Sequence, residues 1–170
     1  QLMTFSVPHT RSSARPCAVV LGLSPTGLYV ARELGRSGTP LLGVDRAFAS
    51  GGASRYFRSS GGVWYESDTQ RLLGRLLDYA GRLGSKPVII PTSDHYIEFV
   101  IEHYASLQSA FCIADCYASV AETLLDKYTF HQLCAQHGVI TPGVWQLSSI
   151  EDVGRMEEVS FPCILKPALI

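Results

Sequence analysis

The chain has 170 residues, a formal net charge of −1 and only 17% charged residues, with no long basic run, so it offers no electrostatic footprint for nucleic acid or an anionic membrane surface. At 46% hydrophobic it can bury a sizeable core, and its length fits one domain or one domain plus part of another. No apolar run approaches the roughly 18 residues of a membrane span, and the five cysteines (17, 112, 116, 134 and 163) form no tight framework. An odd set of that kind predicts free thiols in a reducing compartment, and hence a cytoplasmic setting.

Residues 1–16 carry no hydrophobic periodicity and read as a loose leader, with Gln1-Leu2 ahead of Met3 as an expression remnant. Cys17-Ala18-Val19-Val20-Leu21 is a continuous apolar run, the pattern of a strand covered on both faces. Gly22 to Gly27 makes a turn, and Leu28, Ala31, Leu34 and Gly35 form the stripe of a helix that ends at Ser37-Gly38. Leu41 to Asp45 is a second buried strand, 46–60 a Gly/Ser/Arg loop, Val63-Trp64-Tyr65 a short strand, and 68–83 an amphipathic helix. Lys86 to Ile90 gives the next strand. Pro91 to Asp94 is a turn that caps a helix bearing Ile97, Val100, Ile101 and Tyr104, and Phe111 to Ala114 is a further strand.

This alternation predicts an α/β fold, an open and mostly parallel Rossmann-like sheet flanked by helices. Ligands of such sheets lie beyond the carboxyl ends of the strands, which places Gly22–Gly27, Asp45 and Thr92–Asp94 along one rim. From about Ala118 the rhythm changes to helix, helix, strand, helix, strand, so a boundary falls near 115–120. The second part includes a helix opening at Lys127 and a short apolar strand, Phe161 to Pro167, that carries Lys166.

Each constellation on this frame has a functional and a plain reading. The turn Gly22-Leu23-Ser24-Pro25-Thr26-Gly27 points a helix N-terminus, and so its amides, at the rim, where an anion is stabilised. The dinucleotide fingerprint wants a further glycine where Ser24 stands, and Pro25 departs from it as well. Asp45 could serve a ribose, in which case the chain is a nucleotide- or NAD(P)-binding Rossmann enzyme; the plain reading is a helix-capping turn with no ligand. Thr92, Ser93 and Asp94 suit a substrate amine or ordinary helix capping. Arg55 and Arg58 could hold a carboxylate bidentately or simply be solvated. Cys112 and Cys116 lack the second pair of a zinc site, the five histidines show no ligand spacing, and no residue sits in a nucleophile elbow, so no metal or catalytic residue is assigned. Lys127 at a helix start and Lys166 on an apolar strand suit a clamp on a phosphate; the plain reading of Lys166 is an edge strand whose amine reaches water.

The order of these parts resembles the front portion of ATP-grasp ligases. An α/β domain is followed by Asp126-Lys127-Tyr128, then Gly138-Val139-Ile140-Thr141-Pro142, then Phe161-Pro162-Cys163-Ile164-Leu165-Lys166-Pro167. Pro91 to Asp94 and Ser54-Arg55-Tyr56 are similar to segments of carbamoyl-phosphate-synthetase-like carboxylate–amine ligases. The resemblance implies a pre-ATP-grasp domain over 17–117 and the beginning of an ATP-grasp α+β subdomain over 118–170. It implies nucleotide-binding roles for Lys127 and Lys166. It also implies acceptor-substrate roles for Gly22, Ser24, Thr26, Gly27, Arg55, Thr92, Ser93 and Asp94. The reaction it implies is ATP- and Mg2+-dependent activation of a small-molecule carboxylate to an acyl phosphate, followed by attack of an amine. These 170 residues hold neither the family's glycine-rich loop nor its magnesium ligands, so on this reading they bind no cofactor tightly alone, are inactive, and depend on a C-terminal ATP-grasp region as partner. A non-catalytic α/β binding or dimerisation module, forming a homodimer, is the other reading.

Overall fold

The computed structural model describes residues 15–152, 154, 159 and 161–166. The expectations for the leader over residues 1–14, and for Pro167 to Ile170, lie outside the described residues. Four strands form one parallel sheet in the order β3-β2-β1-β4: β1 (Ala18–Leu21), β2 (Leu41–Asp45), β3 (Val63–Tyr65) and β4 (Val88–Pro91). The central strand β1 is buried along its whole length, as its unbroken apolar run requires of a strand covered on both faces. Side chains alternate across it. Val19 and Leu21 join Leu42 and Val44 beneath α3 (Thr69–Gly81), α4 (Asp94–Glu102) and α5 (Tyr104–Ala110). Ala18 and Val20 join Leu41 on the other face, beneath α1 (Pro25–Arg36) and α2 (Arg55–Arg58). Fully burying Val19, Val20 and Leu21 contributes about 1.5–3 kcal/mol each, an upper bound because the unfolded chain is itself partly compact.

The chain order sets the edge at which a ligand of such a sheet is expected. From β1 the chain moves through α1 to β2 and then β3 on one side, and the connection carrying α3 returns it to β4 on the other side of β1. The strand order therefore reverses between β1 and β4, and in open parallel sheets that reversal opens a crevice at the carboxyl edge.

Several elements differ from the pattern in the sequence. The loop expected over 46–60 contains a 3₁₀ turn, Ser50–Ala53, and the four-residue helix α2. One turn of helix is too short to show periodicity, yet it seats Phe57, wholly buried, against the bare backbone of Gly43, where an added side chain would begin 3.0 Å from the ring. The helix expected to reach Tyr104 breaks at His103, whose carbonyl accepts the amides of Ser106 and Leu107 and so restarts the chain as α5. The strand expected at Phe111 to Ala114 reduces to one parallel bridge, Val88 to Cys112. Beyond the 3₁₀ turn Asp115–Ala118 come α6 (Ala121–Leu125), which packs against α4, and α7 (Lys127–Gln136).

The expected strand at Phe161 is the main correction. Residues 163–166 are irregular, Lys166 is exposed, and Phe161, Ile164 and Leu165 are each at least 80% exposed. A strand exists only through ladder hydrogen bonds, and among the described residues this run has no partner strand. The cost of burying a lone ammonium therefore does not bear on Lys166 here.

Candidate functional site

The rim is built from two turns that lock together. At Gly22 the backbone leaves β1 with φ +93°, a left-handed conformation that favours glycine. The Gly22 amide donates to the Val44 carbonyl at 2.8 Å, and the Thr92 amide donates to the Leu21 carbonyl at 2.9 Å. The Thr92 hydroxyl donates to the carbonyl oxygens of Gly22 (2.8 Å) and Leu21 (3.0 Å), tying the end of β4 to the turn after β1. Gly27, in the first turn of α1, lies so close to that turn that a side chain would start 1.9 Å from the Gly22 carbonyl oxygen. Both glycines thus permit a close backbone approach that brings the start of α1 onto the strand end.

Asp45 completes the fastening. Its carboxylate accepts the Leu23 amide and the Arg46 amide, each at 2.7 Å. The acid that a dinucleotide reading would place on a ribose is here engaged in holding the glycine turn.

Two helix N-termini meet at this edge. On α1, Ser24 is the N-cap, Pro25 follows it, and Ser24, Pro25 and Thr26 are exposed. First-turn amides such as those of Thr26 and Gly27 have no acceptor inside a helix, so they present partial positive charge outward. On α4, Ser93 is the N-cap, its side chain makes no capping bond, and Asp94 opens the first turn. Ser93 and Thr92 flank Gly22, their hydroxyl oxygens lying 3.4 and 2.9 Å from where a Gly22 side chain would begin. The structure therefore brings Gly22, Ser24, Thr26, Gly27, Thr92, Ser93 and Asp94 to one edge.

Tyr96 is a residue the sequence pattern did not single out. It is 2% exposed on the inner face of α4, with its ring 3.3 Å from the position of a Gly22 side chain, and its phenol oxygen is buried without a hydrogen-bond partner. Burial, reinforced by the nearby Asp45 carboxylate and partly offset by Arg46, holds the phenol well above its ordinary pKa, so it is a neutral donor. The only sequence signal was a hydroxyl-bearing ring within the apolar stripe of α4, which reads first as core.

Arg55 is placed elsewhere. Its guanidinium donates to the Tyr56 hydroxyl at 3.0 Å and lies 4.9 Å over the Tyr56 ring. That ring packs on Gly35, eight residues beyond Gly27 and so about 12 Å further along α1. Arg58 donates to the Ala53 carbonyl at 3.1 Å.

Lys127 is the first residue of α7. Asp126 caps that helix by accepting the Thr129 amide at 2.7 Å, and this bond is the main cause that lowers its carboxyl pKa. A cation at a helix start opposes the helix dipole, but the Lys127 charge also acts favourably on the capping Asp126 carboxylate. An open cavity of about 450 Å³ lies alongside, lined by Glu98, Ile101, Glu102, Glu122, Leu125 and Asp126. Its acidic walls disfavour phosphate, so any role of Lys127 toward a phosphate belongs to the helix end and not to that cavity. Among the described residues no group of three or more His, Cys, Asp or Glu side chains could hold a metal ion.

No protein-family profile matches the chain, and no characterised protein matches it by sequence. A structural match does. The fold is similar to part of N5-carboxyaminoimidazole ribonucleotide synthetase from Thermotoga maritima, with a TM-score of 0.59 and 16% identity over 86% of this chain. The likeness is one of fold. The chain spans 37% of the length of that enzyme.

Proposed function

We propose that these residues are part of an ATP-dependent carboxylate–amine ligase of the ATP-grasp superfamily. The observation that carries the reading is the fold likeness: it extends over 86% of the chain, and the matched protein is an ATP-grasp enzyme. The rim between β1 and β4 supports it independently, because the amides at the start of α1 and α4 suit a carboxylate. In this reading the boundary near 117 separates the substrate-binding sheet from the start of the nucleotide-binding part. Lys127 and the exposed Lys166 contact ATP phosphates, with Gly22–Gly27 and Thr92–Asp94 facing the acceptor substrate and Arg55 remote from it.

The chemistry balances simply. A carboxylate oxygen of the substrate attacks the γ-phosphorus of ATP, ADP departs, and an acyl phosphate forms. The amine nitrogen then attacks the acyl carbon, phosphate leaves with the bridging oxygen, and the amine loses a proton to a base. Lysines serve the first step by positioning the phosphates and neutralising charge. No step here is routed through the magnesium ion that ATP-grasp ligases use, and in this reading its ligands come from protein outside these residues.

The experiment that tests this reading is hydroxylamine trapping. The complete protein with ATP, magnesium and a panel of small carboxylates should yield a hydroxamate that requires both ATP and one carboxylate, whereas the 170-residue chain alone should yield none. ATP-independent product, or robust turnover by these residues alone, would overturn it.

A further inference from the structure

Charge is unevenly spread along this chain. Between Arg15 and Gly62 it carries six arginines, no lysine and two acids, in a protein whose net charge is −1. Both acids are engaged: Asp45 accepts the Leu23 and Arg46 amides, and Glu33 pairs with Arg36. Arg36 ends α1, while Arg55 and Arg58 stand three apart on α2, which packs against α1 on the same face of the sheet. Like charges at that spacing repel and weaken a helix. Among the described residues neither Arg55 nor Arg58 forms an ion pair with a carboxylate.

Tyr56 fixes where these guanidiniums meet. Its ring lies on the bare backbone of Gly35, where an added side chain would run into it, and so it is held beside the residue that precedes Arg36. Its hydroxyl oxygen accepts from Arg55 at 3.0 Å, and the same guanidinium lies 4.9 Å over the ring. The Arg55 hydrogen bond, with a smaller pull from Arg36, holds the phenol below its ordinary pKa. Arg58 reaches back to the Ala53 carbonyl at 3.1 Å, two residues before Arg55. The Tyr56 hydroxyl keeps its own hydrogen to donate. Two kinds of donor therefore converge: planar guanidiniums, which match oxyanions in pairs of hydrogen bonds, and one O–H.

We propose that Arg36, Arg55 and the Tyr56 hydroxyl form a binding site for the phosphate group of a small dianionic ligand, with Arg58 flanking it. Three arginines against Glu33 leave a surplus of two positive charges, which a dianion neutralises and a carboxylate only halves. The site is separate from the rim, because Gly35 lies about 12 Å along α1 from Gly27. It stands whether or not the chain is part of a ligase.

The test titrates the 170-residue chain with inorganic phosphate in mildly alkaline buffer, with sodium chloride at matched ionic strength as control. Backbone amide resonances of Gly35, Arg36, Arg55 and Tyr56 should show saturable shifts that chloride does not reproduce. Arg55→Gln should bind phosphate about tenfold or more weakly, the loss of a charge-assisted contact. Arg36→Gln, on the other helix, should do the same, so the result does not hang on the folding of one variant. Tyr56→Phe keeps the ring on Gly35 and should also weaken binding. Arg82→Gln removes an exposed arginine at the end of α3, on the opposite face of the sheet, and should leave the affinity unchanged. An equal loss in Arg82→Gln would reduce the effect to diffuse charge and overturn the proposal. Unchanged affinity in both Arg55→Gln and Arg36→Gln would overturn it as well, as would shifts that chloride reproduces. Shifts confined to Thr26 and Ser93 would put the anion at the rim and overturn it too.

Discussion

Two glycine-to-alanine changes in helices should move stability in opposite directions, and the structure sets the sign of each. Gly74 lies within α3 with nothing within 4 Å of an added Cβ, so alanine there should stabilise by about 0.5–1 kcal/mol through helix propensity and a less flexible unfolded chain. Gly27 lies in the first turn of α1, where the same Cβ would sit 1.9 Å from the Gly22 carbonyl oxygen and 2.9 Å from its carbon. Those are backbone atoms, held by the Thr92 hydroxyl and by the ladder from Gly22 to Val44, so they cannot rotate away as a side-chain tip would. Overpacking of that kind costs about 1–3 kcal/mol, which exceeds the propensity gain. Since 1 kcal/mol corresponds to roughly 2–4 °C at this chain length, Gly74→Ala should melt a few degrees higher than wild type and Gly27→Ala several degrees lower. Thermal and urea unfolding of both variants measure it. A Gly27→Ala protein stabilised as much as Gly74→Ala would refute the close approach of α1 to the glycine turn.

Thr92→Val keeps the shape of the side chain but deletes the hydroxyl that spans Leu21 and Gly22. It should cost about 1–3 kcal/mol in urea unfolding, because it takes a donor from the partly buried Gly22 carbonyl, while the Leu21 carbonyl keeps the Thr92 amide. Asp126 has a folded pKa lowered chiefly by the Thr129 amide, so its contribution is present above the ordinary carboxylate range and fades as pH falls through the folded value. Relative to Asp126→Asn, the wild type should therefore lose its stability advantage below about pH 4, in melts collected across pH 3–7.

How much of this was legible in the sequence follows from where the signals lie. β1 and β2 are short apolar runs bounded by turn residues and alternating with helical stripes, the pattern of strands covered on both faces, so the parallel sheet and the rim of Gly22, Asp45, Thr92 and Ser93 were readable at once. The role of Asp45 was not: an acid at the end of the second strand looks the same whether it meets a ribose or two backbone amides, and only the fold brings Leu23 back to it. Tyr96 hid in an apolar stripe because its consequence, a hydroxyl without a partner, is a property of packing. The run around Lys166 has the composition of a strand, but composition cannot supply the neighbouring strand that ladder bonds require. Arg55 was expected at the rim from its loop and from the resemblance of Ser54-Arg55-Tyr56 to ligase segments, and the one-turn helix α2 instead turns it onto Tyr56.

The claim that Lys127 and Lys166 serve a nucleotide is most directly tested by the ATP dependence of hydroxamate trapping in the complete protein, comparing wild type with Lys127→Met and Lys166→Met. Methionine keeps bulk and removes a charge-assisted contact worth about 1.5–3 kcal/mol, or roughly ten- to a hundredfold in ATP affinity. Both variants should need that much more ATP for half-maximal trapping while melting close to the wild-type temperature. Unchanged ATP dependence in both would mean the lysines touch no phosphate, and the ligase account of this chain would lose its chemical basis.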